Sequence, residues 1–184
     1  MHSFKCGAPV LDFVGTLRAR RNAAPTEMLT SPESLEAWFR ESGLVDADTS
    51  CGPSDLKRAI ALREAVYRLV VATLAGDDYG ADALAVVNDI ARTPSSVPQL
   101  VRRGRRQVEA TPEQALSTIA RQAVELLGGP ESALLRECSR GECTQVYLDR
   151  SHGSRREWCA MDPCGNRIKA AAYRARKRTA RSQA

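Results

Sequence analysis

Four cysteines stand as Cys138-x4-Cys143-x15-Cys159-x4-Cys164. Two close pairs of thiols, separated by a loop of this length, are what a chain needs to wrap one tetrahedral Zn2+. Four protein sulfurs complete the tetrahedron and leave no position for a reactive water, so the chemistry implied is structural. Spacing alone also admits an iron–sulfur cluster, disulfides or a redox role. Cys6 and Cys51 stand alone and read as buried fillers, because a free thiol packs as a small hydrophobe. His152 lies in a Ser-His-Gly-Ser run and reads as an exposed turn residue rather than a ligand.

The cysteines share their part of the chain with most of the surplus positive charge. The 184 residues carry 27 Lys and Arg against 22 Asp and Glu. Residues 136–184 hold 12 basic and 5 acidic residues, which leaves 15 and 17 in the 135 residues before them. A basic segment on a near-neutral body suggests a polyanion as partner, with nucleic acid first. A protein partner or a merely solvated surface stays open on composition. Chemistry that moves protons through histidine has few candidates, since the chain holds only His2 and His152. No P-loop, Gly-x-Ser-x-Gly or His-Glu-x-x-His run is present, so the reading is of a non-enzyme. No run of eighteen apolar residues predicts a membrane span. With no signal pattern at the start, the expectation is a cytoplasmic protein without membrane contact, where thiols stay reduced.

The elements that must position these residues can be read from periodicity and punctuation. Pro9 opens a helix through Val10, Phe13, Val14 and Leu17. Ser31-Pro32 caps a second, carrying Leu35, Trp38 and Phe39 and ending near Gly43. A long helix over 54–74 has the stripe Leu56, Ile60, Val66, Val70, Val71 and Leu74, and stops at Gly76. Another covers 80–92. Residues 99–102 and 106–109 read as strands joined at Arg103-Gly104-Arg105. Thr111-Pro112-Glu113-Gln114 is a capping box that opens a helix ending at Gly128-Gly129-Pro130. The fold class is therefore α+β. Residues 1–130 form a mostly helical domain with a short β-hairpin, and residues 131–184 form a metal module.

Within that module, Gly141 and Gly165 supply bends beside each cysteine pair through positive φ. Residues 145–148 predict a strand, 151–154 a turn and 157–159 the returning strand. The order of knuckle, hairpin, knuckle and helix is treble-clef-like. The final helix places Cys164, Ile168, Ala171, Ala172 and Ala175 on one stripe, predicted to face the module. Asn166, Arg167, Lys169, Arg174, Arg176 and Arg178 then face outward, with Arg155 and Arg156 nearby. These are the candidate DNA contacts, since Arg forks onto guanine, Asn pairs with adenine and either cation neutralises phosphate. Tyr147 and Trp158 read as hairpin core rather than base-stacking platforms. A segment this short rarely folds on its own core, so the metal is expected to hold it. On this reading Cys159→Ser unfolds the module and spares the helical domain.

Trp158-Cys159-Ala160-Met161, then Cys164-Gly165-Asn166-Arg167 with Lys169, Tyr173, Arg174 and Arg176, resembles the CGNR zinc finger. Tyr147-Leu148-Asp149-Arg150-Ser151 is similar to that family's aromatic-x-Asp-x-Ser hairpin. Leu11-Asp12-Phe13-Val14-Gly15-Thr16, Leu35-x2-Trp38 and Leu62-Arg63-Glu64-Ala65 resemble the ABATE domain of stress-induced transcription regulators. One position departs, because the family commonly has Asn where this chain has Gly15. The resemblance implies a finger that binds DNA and a front domain that senses a small molecule. Asp12, Thr16, Arg18, Arg63 and Glu64 are polar groups in or beside apolar helical runs and are the candidate pocket lining. An internal Arg63–Asp12 ion pair, or helix capping, would explain the same residues. The rival function is an adaptor whose zinc module docks a protein or RNA.

Overall fold

Two helices of this chain start at reciprocal side-chain caps. The computed structural model describes residues 2–182, with side chains to residue 177. Helix α1 spans Pro9–Val14, α2 Pro32–Glu41, α3 Pro53–Ala75, α4 Ala81–Arg92, α5 Pro112–Gly128 and α6 Asn166–Ser182. Ser31 Oγ accepts from the Ser34 N–H at 3.3 Å, and the Ser34 hydroxyl oxygen accepts from the Ser31 N–H at 3.0 Å. Thr111 and Gln114 make the same reciprocal pair before α5, at 3.3 and 3.0 Å. Each cap of this kind contributes about 1 kcal/mol. Helix α3 ends on Gly76 at φ 75°, a left-handed position that glycine occupies without steric cost.

Helices α3, α4 and α5 pack on one another, with α1 against α3 and α5 and α2 against α3. The buried side of α3 is Ala59, Leu62, Ala65, Val66, Leu69 and Val70. This differs from the stripe predicted by periodicity, since Val71 and Leu74 are 39% and 37% exposed. Helix α1 is also shorter than predicted. It stops at Val14, and Leu17 leaves it for a two-residue strand. Local hydrogen bonding breaks the helix there, with the Thr16 hydroxyl donating to the Phe13 carbonyl at 2.7 Å.

The strands form three antiparallel pairs: β1 (Leu17–Arg18) with β2 (Thr26–Glu27), β3 (Gln99–Val101) with β4 (Arg105–Gln107), and β5 (Leu135–Glu137) with β6 (Val146–Leu148). The last pair corrects the sequence reading. Strand β6 pairs with residues before the first cysteine pair, not with 157–159, and its register is Leu135↔Leu148, Arg136↔Tyr147 and Glu137↔Val146. Residues 157–159 run beside the first knuckle instead, where the Glu157 carbonyl accepts from the Ser139 N–H at 2.9 Å. The sequence of knuckle, strand, knuckle and helix nonetheless gives the expected treble-clef-like finger on a mostly helical body.

A single cluster of buried apolar residues runs from Phe13, Trp38 and Leu62 through Leu135, Val146 and Tyr147 to the four finger cysteines. The contacts that tie the front helices to the finger are also polar. Gln145 Nε2 donates to the Gly15 carbonyl at 2.9 Å, the Leu148 N–H to the Cys6 carbonyl at 2.8 Å, and Arg150 Nη1 to the Gly7 carbonyl at 2.7 Å.

Candidate metal centre and the surfaces around it

The sulfurs of Cys138, Cys143, Cys159 and Cys164 all lie within 4.8 Å of one another. The Cys143 and Cys159 sulfurs are 3.8 Å apart. Tetrahedral zinc with Zn–S bonds of about 2.3 Å requires sulfur–sulfur separations of about 3.8 Å, so the donor set fits one ion. The knuckles are shaped by backbone bonds, with the Cys143 N–H donating to the Arg140 carbonyl at 2.7 Å and the Gly165 N–H to the Ala160 carbonyl at 3.0 Å. The glycine roles differ from those read in the sequence, since neither Gly141 nor Gly165 has a positive φ. Gly165 is needed for close approach. A Cβ there would stand 2.8 Å from the Trp158 indole nitrogen and 2.7 Å from the Met161 sulfur.

The electrostatics of the four thiols also call for a cation. A hydrogen bond from Cys159 pushes the Cys143 thiol down to about 5. Cys159 is pushed up by that same bond and by burial, and Cys164 is pushed up by burial. Four sulfurs this close cannot all ionise alone, and a divalent ion removes the conflict. Arg140 Nη1 lies 3.9 Å from Cys164 Sγ and supplies a supporting contact of the kind that orients metal ligands. The four cysteines therefore form a site for one structural zinc ion. His152 is exposed and outside it.

Asp149 holds the loop that precedes the second knuckle. Its buried carboxylate accepts from the Ser151 N–H at 2.9 Å and the Arg156 N–H at 3.1 Å, and the Ser151 hydroxyl together with these bonds holds it below the ordinary carboxylate range. Tyr147 is fully buried, with its hydroxyl donating to the Arg156 carbonyl at 2.5 Å. The core reading of Tyr147 holds.

The candidate DNA contacts divide into two groups. Asn166, Arg167, Lys169, Arg174 and Arg176 are exposed along α6, and Arg155 is exposed on the loop before it. Lys169 Nζ sits 5.4 Å from the Trp158 ring centroid. Arg156 is engaged inward: Nε donates to the Trp158 carbonyl at 2.8 Å, Nη2 to the carbonyls of Lys5 and Cys159, and the guanidinium stacks 4.3 Å from the Tyr147 ring. The Arg178 side chain lies outside the described residues. The predicted inward stripe of α6 is corrected. Cys164 is buried on the turn before the helix and Ile168 is half-buried, but Ala171, Ala172 and Ala175 are exposed. From Lys169 to Lys177 the side chains of α6 are exposed.

The candidate effector residues are placed in the front domain's interior network. Arg63 is 2% exposed and makes a two-pronged bond to Glu27 at 2.6 and 2.7 Å, with further bonds to Glu64 at 2.8 Å and Thr16 at 3.2 Å. Asp12 is not its partner. Asp12 accepts from the Cys6 N–H at 2.9 Å, and burial pushes its carboxyl up. Glu64 also receives Arg20, whose guanidinium stacks 4.0 Å from the Tyr67 ring. Sequence reasoning missed Glu27 and Arg20, because both lie in a loop-rich stretch with no helical period. A cavity of about 530 Å3 lies between the first residues of the chain and the finger. Of the five candidate lining residues only Arg18 borders it, with Phe4, Asn22, Gln145 and the zinc ligands Cys143, Cys159 and Cys164.

Residues 7–130 match the family model of ABATE, described as "Putative stress-induced transcription regulator". Residues 135–177 match that of the CGNR zinc finger. No curated protein is similar enough to the chain to add to these two matches. Among the described residues no helix is long and apolar enough to cross a membrane. The matches cover most of the chain, their boundary falls just before β5, and the cysteine geometry agrees with the second of them: the chain belongs to the ABATE family and carries a CGNR zinc finger.

Proposed function

We propose that the protein is a transcription regulator that binds DNA through α6, and that it acts as a binding protein rather than an enzyme. The observation that carries this reading is the state of α6. Arg167, Lys169, Arg174, Arg176 and Lys177 are exposed on it, and among the described residues no carboxylate pairs with any of them. A helix whose cations no carboxylate neutralises among the described residues is suited to a groove lined by phosphates. Zinc would fix where that helix starts, and Asn166 at its first position would reach base edges. The cavity beside the zinc ligands would take the effector, so that its occupancy bears on the knuckles from which α6 springs. Such a regulator works in the cytoplasm and responds to stress.

Anisotropy titrations of the zinc-loaded protein on labelled genomic duplexes test this reading. Binding should weaken steeply with salt. Arg167→Ala with Arg174→Ala should cost at least about tenfold in affinity with zinc content unchanged. Binding that is absent at low salt, or untouched by the double substitution, sinks the DNA reading. Recovery of one protein or RNA partner without DNA would favour the adaptor instead.

A further inference from the structure

The β3–β4 hairpin carries a second concentration of charge that folding does not explain. Arg102, Arg103, Arg105 and Arg106 fall within five residues and all are exposed. Among the described residues none of them forms an ion pair. The nearest acid in sequence, Glu109, is engaged by Gln107 Nε2 at 2.8 Å. Arg103 takes the left-handed conformation, at φ 67°, beside Gly104 at φ 73°. A residue with a Cβ is disfavoured there, and Asn or Gly would serve the turn better. Leu100, which faces Arg106 across the pair, is 81% exposed, and Val97 is 62% exposed. They are the two most exposed large hydrophobic residues described.

The hairpin is also held rather than loose. At its root the Val108 N–H donates to Asp46 Oδ2 at 2.7 Å, and the Asp46 N–H donates back to the Val108 carbonyl at 2.8 Å. We infer that this hairpin is a second nucleic-acid contact, in which the four guanidiniums meet backbone phosphates and Leu100 lies against a groove wall. Arginine matches phosphate with paired N–H bonds, and a two-stranded ribbon is narrow enough to enter a groove. A membrane surface fits less well, because the tip lacks the aromatic residues that anchor at lipid interfaces. The inference extends the DNA reading of α6 and rests on it for the identity of the polyanion. If both contacts meet one duplex, the hairpin would lengthen the footprint of α6.

The test is the salt dependence of duplex binding by the full zinc-loaded chain, with footprint length measured in parallel. Replacing all four arginines by alanine should lower the slope of log affinity against log salt by about 2–4. It should also shorten the footprint, with zinc content and circular dichroism unchanged. Replacing them by lysine should restore most of the slope. The Arg167→Ala, Arg174→Ala protein should keep the hairpin's share. If only the α6 variant loses affinity, the hairpin inference is overturned and the α6 reading stands. If only the hairpin variant loses it, the reverse holds. Absence of any duplex binding at low salt overturns both. Loss of co-sedimentation with vesicles containing anionic phosphatidylglycerol, at an unchanged DNA slope, would assign the hairpin to membranes and overturn the inference.

Discussion

At the scale of single residues, Arg63 shows how a buried charge is kept. Its guanidinium is almost wholly removed from water, yet Glu27, Glu64 and Thr16 satisfy it, while Glu27 and Glu64 keep about a third of their side chains exposed. Removing one partner of a buried pair leaves the other charge stranded, which costs about 3–5 kcal/mol. Arg63→Ala leaves two carboxylates that water still reaches in part, so it should lose less, about 1–3 kcal/mol in urea unfolding at pH 7, and Glu27→Gln should lose about 1–2 kcal/mol, because its amide oxygen still accepts from Arg63. Burial alone would raise the Glu27 carboxyl, but the bonds from Arg63 and the Leu29 N–H outweigh it and hold the carboxyl below the ordinary range. A depressed carboxylate stabilises the fold above its unfolded value of about 4.3 and loses that contribution as pH falls through the folded one. The stability gap between wild type and Glu27→Gln should thus be full at pH 7 and narrow below about pH 4. A gap that stays constant with pH would show that charge is not what Glu27 supplies.

At the scale of elements, what was legible in the sequence follows from what is local. Ser31, Thr111 and Gly76 fix helix ends through bonds within a few residues, so α2, α5 and the end of α3 were readable. The cysteine quartet was readable for the same reason, since each knuckle closes over four intervening residues. The pairing of β6 with Leu135–Glu137 was not, because it depends on which neighbour the folded core presents. Nor was the exposure of Ala171 and Ala172, since periodicity reports a face and not whether anything covers it. Gly15 is the sharpest case. A Cβ at this position would lie 2.3 Å from Gln145 Oε1, so Gln145 occupies the space where a side chain would begin. Gly15→Asn should displace Gln145, break its bond to the Gly15 carbonyl and destabilise by about 1–2 kcal/mol. In Gln145→Ala the same substitution should cost clearly less, with a coupling of at least about 0.5 kcal/mol in a double-mutant cycle. Strict additivity would mean the two residues do not share that space.

At the scale of the whole molecule, the two family matches meet in one core. Val146, Tyr147 and Leu148 are buried in the same cluster as Phe13 and Trp38, and the cysteine sulfurs close its far side. Structural zinc contributes about 10–16 kcal/mol of apparent binding energy in small modules. If that energy also orders β5 and β6, its loss removes a wall from the front domain, and the sequence expectation that Cys159→Ser spares that domain reverses. The two tryptophans allow each side to be read. Trp38 is fully buried among Phe13 and Phe39, and Trp158 is half-buried beside the second knuckle. In Trp158→Phe protein, where Trp38 alone reports, a zinc chelator should lower the urea midpoint of the front domain. In Trp38→Phe protein, Trp158 should report a transition that coincides with it, as one cooperative unit requires. A Trp38 midpoint unmoved by chelation, with only Trp158 responding, would show that the finger melts alone and that the shared core carries no coupling. The single-core arrangement favours the first outcome, because Tyr147 and Leu148 cannot leave without exposing the face of α1 they cover.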